Sequence, residues 1–115
     1  MVQDPLLECT FLIPLHRDVN LSDGRLHDPE TWDWLTNELF NRFGAGTAAP
    51  GIYQGFYKDP DTHQRVADES YKYIVALEDL RVHELRQLLA AACLLFHQKC
   101  IYLSVAGQVE FIQPP

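Results

Sequence analysis

A few polar groupings in this chain have residue types suited to moving protons or holding an anion. Glu69-Ser70 lies where a polar stretch becomes an apolar one. A carboxylate there acts as a general base, or orients a ligand, if burial raises its pKa. The same pair also suits a plainer task, bonding backbone groups where a strand starts. His16-Arg17-Asp18 opens a polar loop, and Arg25, His27 and Asp28 close it. Loops held by a rigid sheet are favoured places for sites, and these types bind anions or shuttle protons. A solvated loop is the simpler account of them. The His16-Arg17-Asp18 triplet matches part of a kinase catalytic loop, but the chain is too short for a kinase and lacks its other elements.

Metal and nucleophile chemistry find less support. His97-x-x-Cys100 has ligand-like spacing, with His83 upstream, yet a zinc site needs three or four converging ligands. On one helix, His83 and His97 would lie roughly 20 Å apart, too far to share an ion. No Gly-x-Ser-x-Gly elbow, phosphate-cradling loop or dinucleotide fingerprint is present. Gly44-x-Gly46 follows a helix and so reads as its stop. Neither a metal nor a cofactor is expected.

These groups must be positioned by ordinary elements. Leu6 to Leu15 alternates Cys9, Phe11, Ile13 and Leu15 against Glu8 and Thr10, the period of a half-covered strand. His16 to His27 is a connector turning at Ser22-Asp23-Gly24. Asp28 and Pro29 open a helix whose stripe is Trp32, Leu35, Leu39 and Phe43, and Gly44 ends it. Ala45 to Pro50 is a loop of small residues. Ile52 to Lys58 and Glu69 to Leu77 are two strands of a hairpin turning at Asp59-Pro60-Asp61. Asp79 caps a second helix, about Leu80 to Gln98, with a wide apolar face. Cys100 to Val105 is a fourth strand, and Val109 to Ile112 continues after a tight turn.

Strand, helix, strand, strand, helix, strand is the split β-α-β order of a ferredoxin-like α+β sandwich, in one domain over residues 1–115. Right-handed crossovers place the first and third strands together at the centre, with both helices on one sheet face. Large residues on both parities argue that the other face is also covered. Tyr53, Tyr57, Tyr71 and Tyr73 would then line an interface or a pocket against a second copy or another protein, with Arg17 beside them.

The chain resembles a family of small bacterial proteins of uncharacterised function that share this element order. The features that carry the resemblance run from the first strand and its loop (Phe11 to Asp18) through Pro29-Glu30-x-Trp32, Arg42-Phe43 and Pro50-Gly51. They continue with Asp59-Pro60-Asp61-x-x-x-Arg65-Val66 and Asp68-Glu69-Ser70. The resemblance implies the fold and brings no activity with it.

Composition narrows the functions. A formal charge of −7, with only nine Lys and Arg, argues against a phosphate-backbone binder. Hydrophobic residues at 47% and charged residues at 22% suit a folded domain. Cys9, Cys93 and Cys100 sit in apolar stretches with no Cys-x-x-Cys pair, the pattern of buried, reduced thiols. Met1 to Asp4 lacks the basic start of a secretory signal, and no apolar run approaches a bilayer's width, so a cytoplasmic protein is expected. Three functions fit: a protein-binding or self-assembling module, a small cofactor-independent enzyme of the dimeric ferredoxin-like type, and an acidic inhibitor mimicking nucleic acid. In the enzyme, Glu69 with His16 or His27 forms the acid/base pair, and Tyr53 and Tyr71 line the walls.

Overall fold

The computed structural model describes residues 5–115. Met1 to Asp4, read above as no signal start, lie outside the described residues. The chain is an α+β sandwich in which an antiparallel sheet carries two helices. The strands are β1 (Leu6–Pro14), β2 (Thr47–Ala48), β3 (Tyr53–Lys58), β4 (Arg65–Glu78), β5 (Ile101–Val105) and β6 (Gln108–Ile112). The helices are α1 (Pro29–Phe43) and α2 (Val82–Leu95), and a single 3-10 turn, Asp79–Arg81, leads into α2. The sheet order is β2-β4-β1-β5-β6, with β3 also paired to β4. As the crossover argument expects, β1 and β4 lie side by side, with Leu6 opposite Glu78 and Pro14 opposite Ser70.

Alternation along the strands builds the core. Cys9, Phe11, Ile13, Tyr73, Val75, Leu77, Ile101 and Leu103 turn to the helix side and are buried. Leu35 and Leu39 from α1 and Leu85, Leu88, Leu89 and Ala92 from α2 meet them. Each such side chain contributes about 1.5–3 kcal/mol by leaving water. Phe11 and Tyr73 stack at 5.2 Å across the β1–β4 pair.

The helix ends follow local chemistry. Asp28 occupies the N-cap of α1 with extended backbone and Pro29 behind it. Its carboxylate does not cap the helix; it lies 3.2 Å from Arg17. Gly44 takes φ 75° and donates its N–H to the Phe40 carbonyl. Helix α2 is shorter than its apolar pattern: it ends at Leu95, and His97 adopts φ 49°. The Gln98 N–H closes on the Cys93 carbonyl at 2.9 Å, a left-handed helix stop that needs no glycine. The buried Gln98 amide then donates to the carbonyls of Phe96 and His16, both at 2.8 Å. That pins the helix end to the connector.

Further departures from the sequence reading concern the middle of the chain. Thr47–Ala48, read as loop, is a short strand on Ile74 and Tyr73. Strand β4 begins at Arg65, four residues before the expected start at Glu69. Between the pairs Ala48↔Tyr73 and Tyr53↔Ser70, five steps on one strand oppose three on the other. This bulge at Pro50-Gly51, with Gly51 at φ 86°, breaks one long strand into β2 and β3. Cys100 is exposed, whereas Cys9 and Cys93 are buried as expected.

Candidate functional site

Strand β4 has fourteen residues but β1 accompanies only Ser70 to Glu78. Residues 65 to 68 pair with β3 alone, so a two-stranded arm extends from the sheet and the molecule measures 54 × 29 × 29 Å. Every residue of β3 is exposed. Ser70 faces Tyr53, Asp68 faces Gly55 and Val66 faces Tyr57 across the arm. Tyr53, Tyr57 and Asp68 therefore share one face, and Asp68 lies over a residue with no side chain, diagonally between two tyrosines. On the other face, Phe56 packs beneath the Arg65 guanidinium at 4.6 Å. A hollow of about 330 Å³ on the arm is lined by Phe56, Tyr57, Lys58, His63 and Arg65.

The connector completes the arm's base. Gln98 and the His97 carbonyl hold His16 and Asp18 by their backbones: Asp18 N–H donates to His97 at 2.9 Å. Burial raises the pKa of Asp68, opposed by the Glu69 backbone N–H and by His16 nearby. The Tyr57 phenol is raised too, first by desolvation and then by Asp18 and Asp68. Cys100 is exposed as a residue, while its thiol is pushed up by desolvation and then by Asp18. Tyr57, toward the tip of the arm, thus feels the charges of Asp18, Asp68 and Cys100, and Asp68 feels that of His16, on the tyrosine face of the arm. Such a group holds a cation against carboxylates and offers a phenol and a carboxyl as proton carriers.

The residues expected from sequence are placed differently. Glu69 is exposed and lies on the opposite face of β4 from Asp68; its carbonyl accepts the Leu15 N–H at 2.9 Å. His27 is not available as its partner. Its Nε2 is 2.8 Å from the Pro14 carbonyl, and its ring is edge-on to Trp32 and Phe96 at 5.5 and 4.8 Å. Desolvation, with Arg17, His97 and His16 adding to it against the Pro14 bond, lowers the His27 pKa. His16 is exposed, with Nδ1 3.2 Å from the Gly24 carbonyl. Arg17 is drawn into the connector by Asp23 at 3.3 Å and Asp28 at 3.2 Å. Tyr71 and Tyr73 face the helices, not Tyr53: Tyr71 meets Trp32 edge-on at 5.0 Å, and burial raises the Tyr73 pKa to about 12. The four tyrosines therefore split between two faces and cannot line one wall.

Asp68 is the residue the sequence reading misses in favour of its neighbour Glu69, whereas Asp18 belongs to the His16-Arg17-Asp18 group named from the sequence. The signal was present in the alternation, because Asp68 has the parity of Ser70 and Tyr53. Among the described residues, no group of three His, Cys, Asp or Glu side chains is arranged to hold a metal ion. A second shallow groove, about 290 Å³, runs between α1 and β2 beside Leu39, Phe40 and Tyr73.

No family model and no curated protein matches the chain. Solved structures do. The chain is similar to a phage SAM lyase in complex with S-methyl-5′-thioadenosine, with a TM-score of 0.71 and 14% identity over 98% of this chain and 93% of that one. The apo state of a phage SAM lyase is similar at a TM-score of 0.62, again at 14% identity and the same coverage. This likeness establishes the ferredoxin-like fold.

Proposed function

We propose that this protein is a small cofactor-independent lyase acting on a sulfonium nucleoside of the S-adenosylmethionine kind, and that it works as an assembly of copies. The observation that carries the proposal is the match to an enzyme solved with S-methyl-5′-thioadenosine, which spans nearly the whole of both chains. That thionucleoside is what remains once the sulfonium loses its aminobutyryl arm. Breaking the bond needs no metal: the electron pair goes to sulfur, which leaves as a neutral thioether. The carbon takes either the substrate's own carboxylate oxygen, or forms an alkene by losing a neighbouring proton to a base.

The arm's base suits these demands. Asp18 and Asp68 offset the sulfonium charge, and Tyr57 offers a flat face to a purine, while the Tyr53 ring has the Lys72 ammonium 5.5 Å from its centroid. His16 is the proton acceptor at hand, replacing the pair of Glu69 and His27. The reading is tested by incubating the protein with S-adenosylmethionine and following S-methyl-5′-thioadenosine by chromatography. Asp68→Asn and Tyr57→Phe are expected to slow its release by about 10²-fold or more. If stoichiometric protein releases none above the spontaneous rate, the proposal fails.

Self-assembly has its own support. A two-stranded ribbon with aromatic residues on both faces is barely stable alone in water, and Ile52, Tyr53, Phe56 and Tyr57 are all exposed. On the sheet face away from the helices, Val109 and Phe111 are exposed as well, beside Tyr102. A second copy covering the arm would also enclose the site. The inhibitor reading draws little from the geometry. Asp23, Asp28, Glu38, Glu84 and Glu110 are paired with arginines on separate elements, not ranged in a phosphate-like row.

A further inference from the structure

We propose that His27 is an acid-operated latch that holds the connector, residues 16–28, against the body of the protein. Its ring is 7% exposed and touches three elements: the end of β1 through Pro14, α1 through Trp32, and the end of α2 through Phe96. Because Nε2 sits on a carbonyl, it carries the hydrogen, and Nδ1 is the bare nitrogen of the neutral ring. No protein group among the described residues meets Nδ1. A second proton must enter there, inside an aromatic clamp with no acceptor.

The surrounding charges do not welcome it. From the connector, Arg17 and His16 face the ring, and His97 faces it from the end of α2; all three oppose a positive charge. Strand β1 offers only the Pro14 carbonyl, which is already used. The α1 cap, Asp28, has its carboxylate 3.2 Å from Arg17 and largely in water. In the latched state His27 therefore binds its proton more weakly than a free imidazole does. By linkage the latch is at full strength above the free value of about 6.5 and weakens as pH falls below it.

What opens is local. The connector is closed on itself by the His16↔Leu26 bridge and the Arg17 N–H to Arg25 carbonyl bond at 2.8 Å. It joins the body through His27, the Asp18 N–H to His97 and the Gln98 amide to His16. Of the two rings that clamp His27, Phe96 belongs to the core and Trp32 packs against it, while the connector's other residues stand outside the core. Protonation thus frees a segment without dissolving the sheet. The effect on activity rests on the reading above, since the freed connector takes His16 and Asp18 from the arm's base. The latch itself does not depend on that reading.

Amide exchange on the full chain tests the latch directly, after correction for the intrinsic pH dependence of exchange. Between pH 7.5 and 5.5, protection of peptides over 16–28 is expected to fall by up to about tenfold, the ceiling set by a free imidazole, while β1 and α2 stay protected. His27→Gln keeps a donor for Pro14 and cannot titrate, so its connector should be indifferent to pH. His16→Gln and His97→Gln should respond like the wild type. A wild-type connector with constant protection, or a His27→Gln protein with an unchanged response, overturns the proposal. Should His27→Gln not fold, the wild-type His27 Cε1 resonance decides: it must titrate below the free value of about 6.5 while connector protection begins to fall at that value, and a resonance titrating at or above it refutes the latch. None of these readouts needs substrate, so an enzyme inactive on S-adenosylmethionine leaves the test intact.

Discussion

Replacing Phe56 by serine separates the arm's role in assembly from its role in the fold. Phe56 is 71% exposed, with the Arg65 guanidinium over its ring. An aromatic side chain has roughly 200 Å² to bury, so about 140 Å² of Phe56 remains in water in the single chain. If a second copy covers it, about 25 cal/mol per Å² gives roughly 3.5 kcal/mol per Phe56. That corresponds to an increase of a few hundred-fold in the dissociation constant, and a two-fold interface using both copies would lose more. Ordering costs on association lower the figure, so a hundred-fold is the working minimum.

The same substitution should scarcely alter the isolated chain. It removes one cation–π contact at an exposed site, about 0.5–1 kcal/mol, from a domain held by a core elsewhere. Sedimentation equilibrium of both proteins across nanomolar to 100 micromolar concentrations measures the first quantity, and urea unfolding at the lowest concentration measures the second. A wild type that stays monomeric throughout, or equal dissociation constants for the two proteins, refutes the argument that the arm is an interface between copies. A large loss of stability in the dilute variant would show that Phe56 is packed within its own chain.

The sandwich makes opposite demands on adjacent residues. Phe11→Ala should cost about 3–5 kcal/mol in urea unfolding, because Phe11 is fully buried against Tyr73. Leu12→Ala, one residue along and on the other sheet face, should cost under half as much in the dilute protein. Asp68 gives a pH signature: its pKa is raised by burial, so the folded state holds that proton more tightly than the unfolded chain. Stability from Asp68 is then present below its ordinary value of 3.8 and is lost as pH rises through its folded value. Asp68→Asn should therefore be more stable than wild type at pH 7 by thermal melting, while losing activity. Gly44→Ala, at φ 75°, should lose about 1 kcal/mol, read in the same melts.

The fold was legible because alternation and helical spacing are local signals, and each element carried one. Phe11 and Ile13 announce a strand face, and Asp28-Pro29 and Gly44 bracket a helix, without knowledge of anything distant. Length was less legible where a distant partner sets it. Helix α2 has apolar residues as far as Phe96, but the Gln98 side chain bonds the His16 carbonyl across the chain and stops the helix there. Thr47–Ala48 is a strand only because Ile74 and Tyr73 lie opposite. Cys100 looked buried by its apolar company, although that company faces the core while the thiol-bearing residue precedes β5 at the surface.

The site was harder to read because it depends on register more than on residue type. Glu69 and Asp68 are chemically alike and adjacent, and only the pairing of Ser70 with both Pro14 and Tyr53 decides which one shares a face with the tyrosines. Shifting β4 by one residue would exchange them, and would also turn Val75 and Leu77 out of the core. Burial of the apolar half of β4 therefore fixes the orientation of its polar half: the residues that stabilise the sheet also aim Asp68. A carboxylate set by register tolerates little freedom in the strand that carries it. Substitutions at Val75 that loosen the β1–β4 pairing should accordingly impair the site before they unfold the chain. Inserting one residue between Ser70 and Val75 should abolish it even where the arm still pairs.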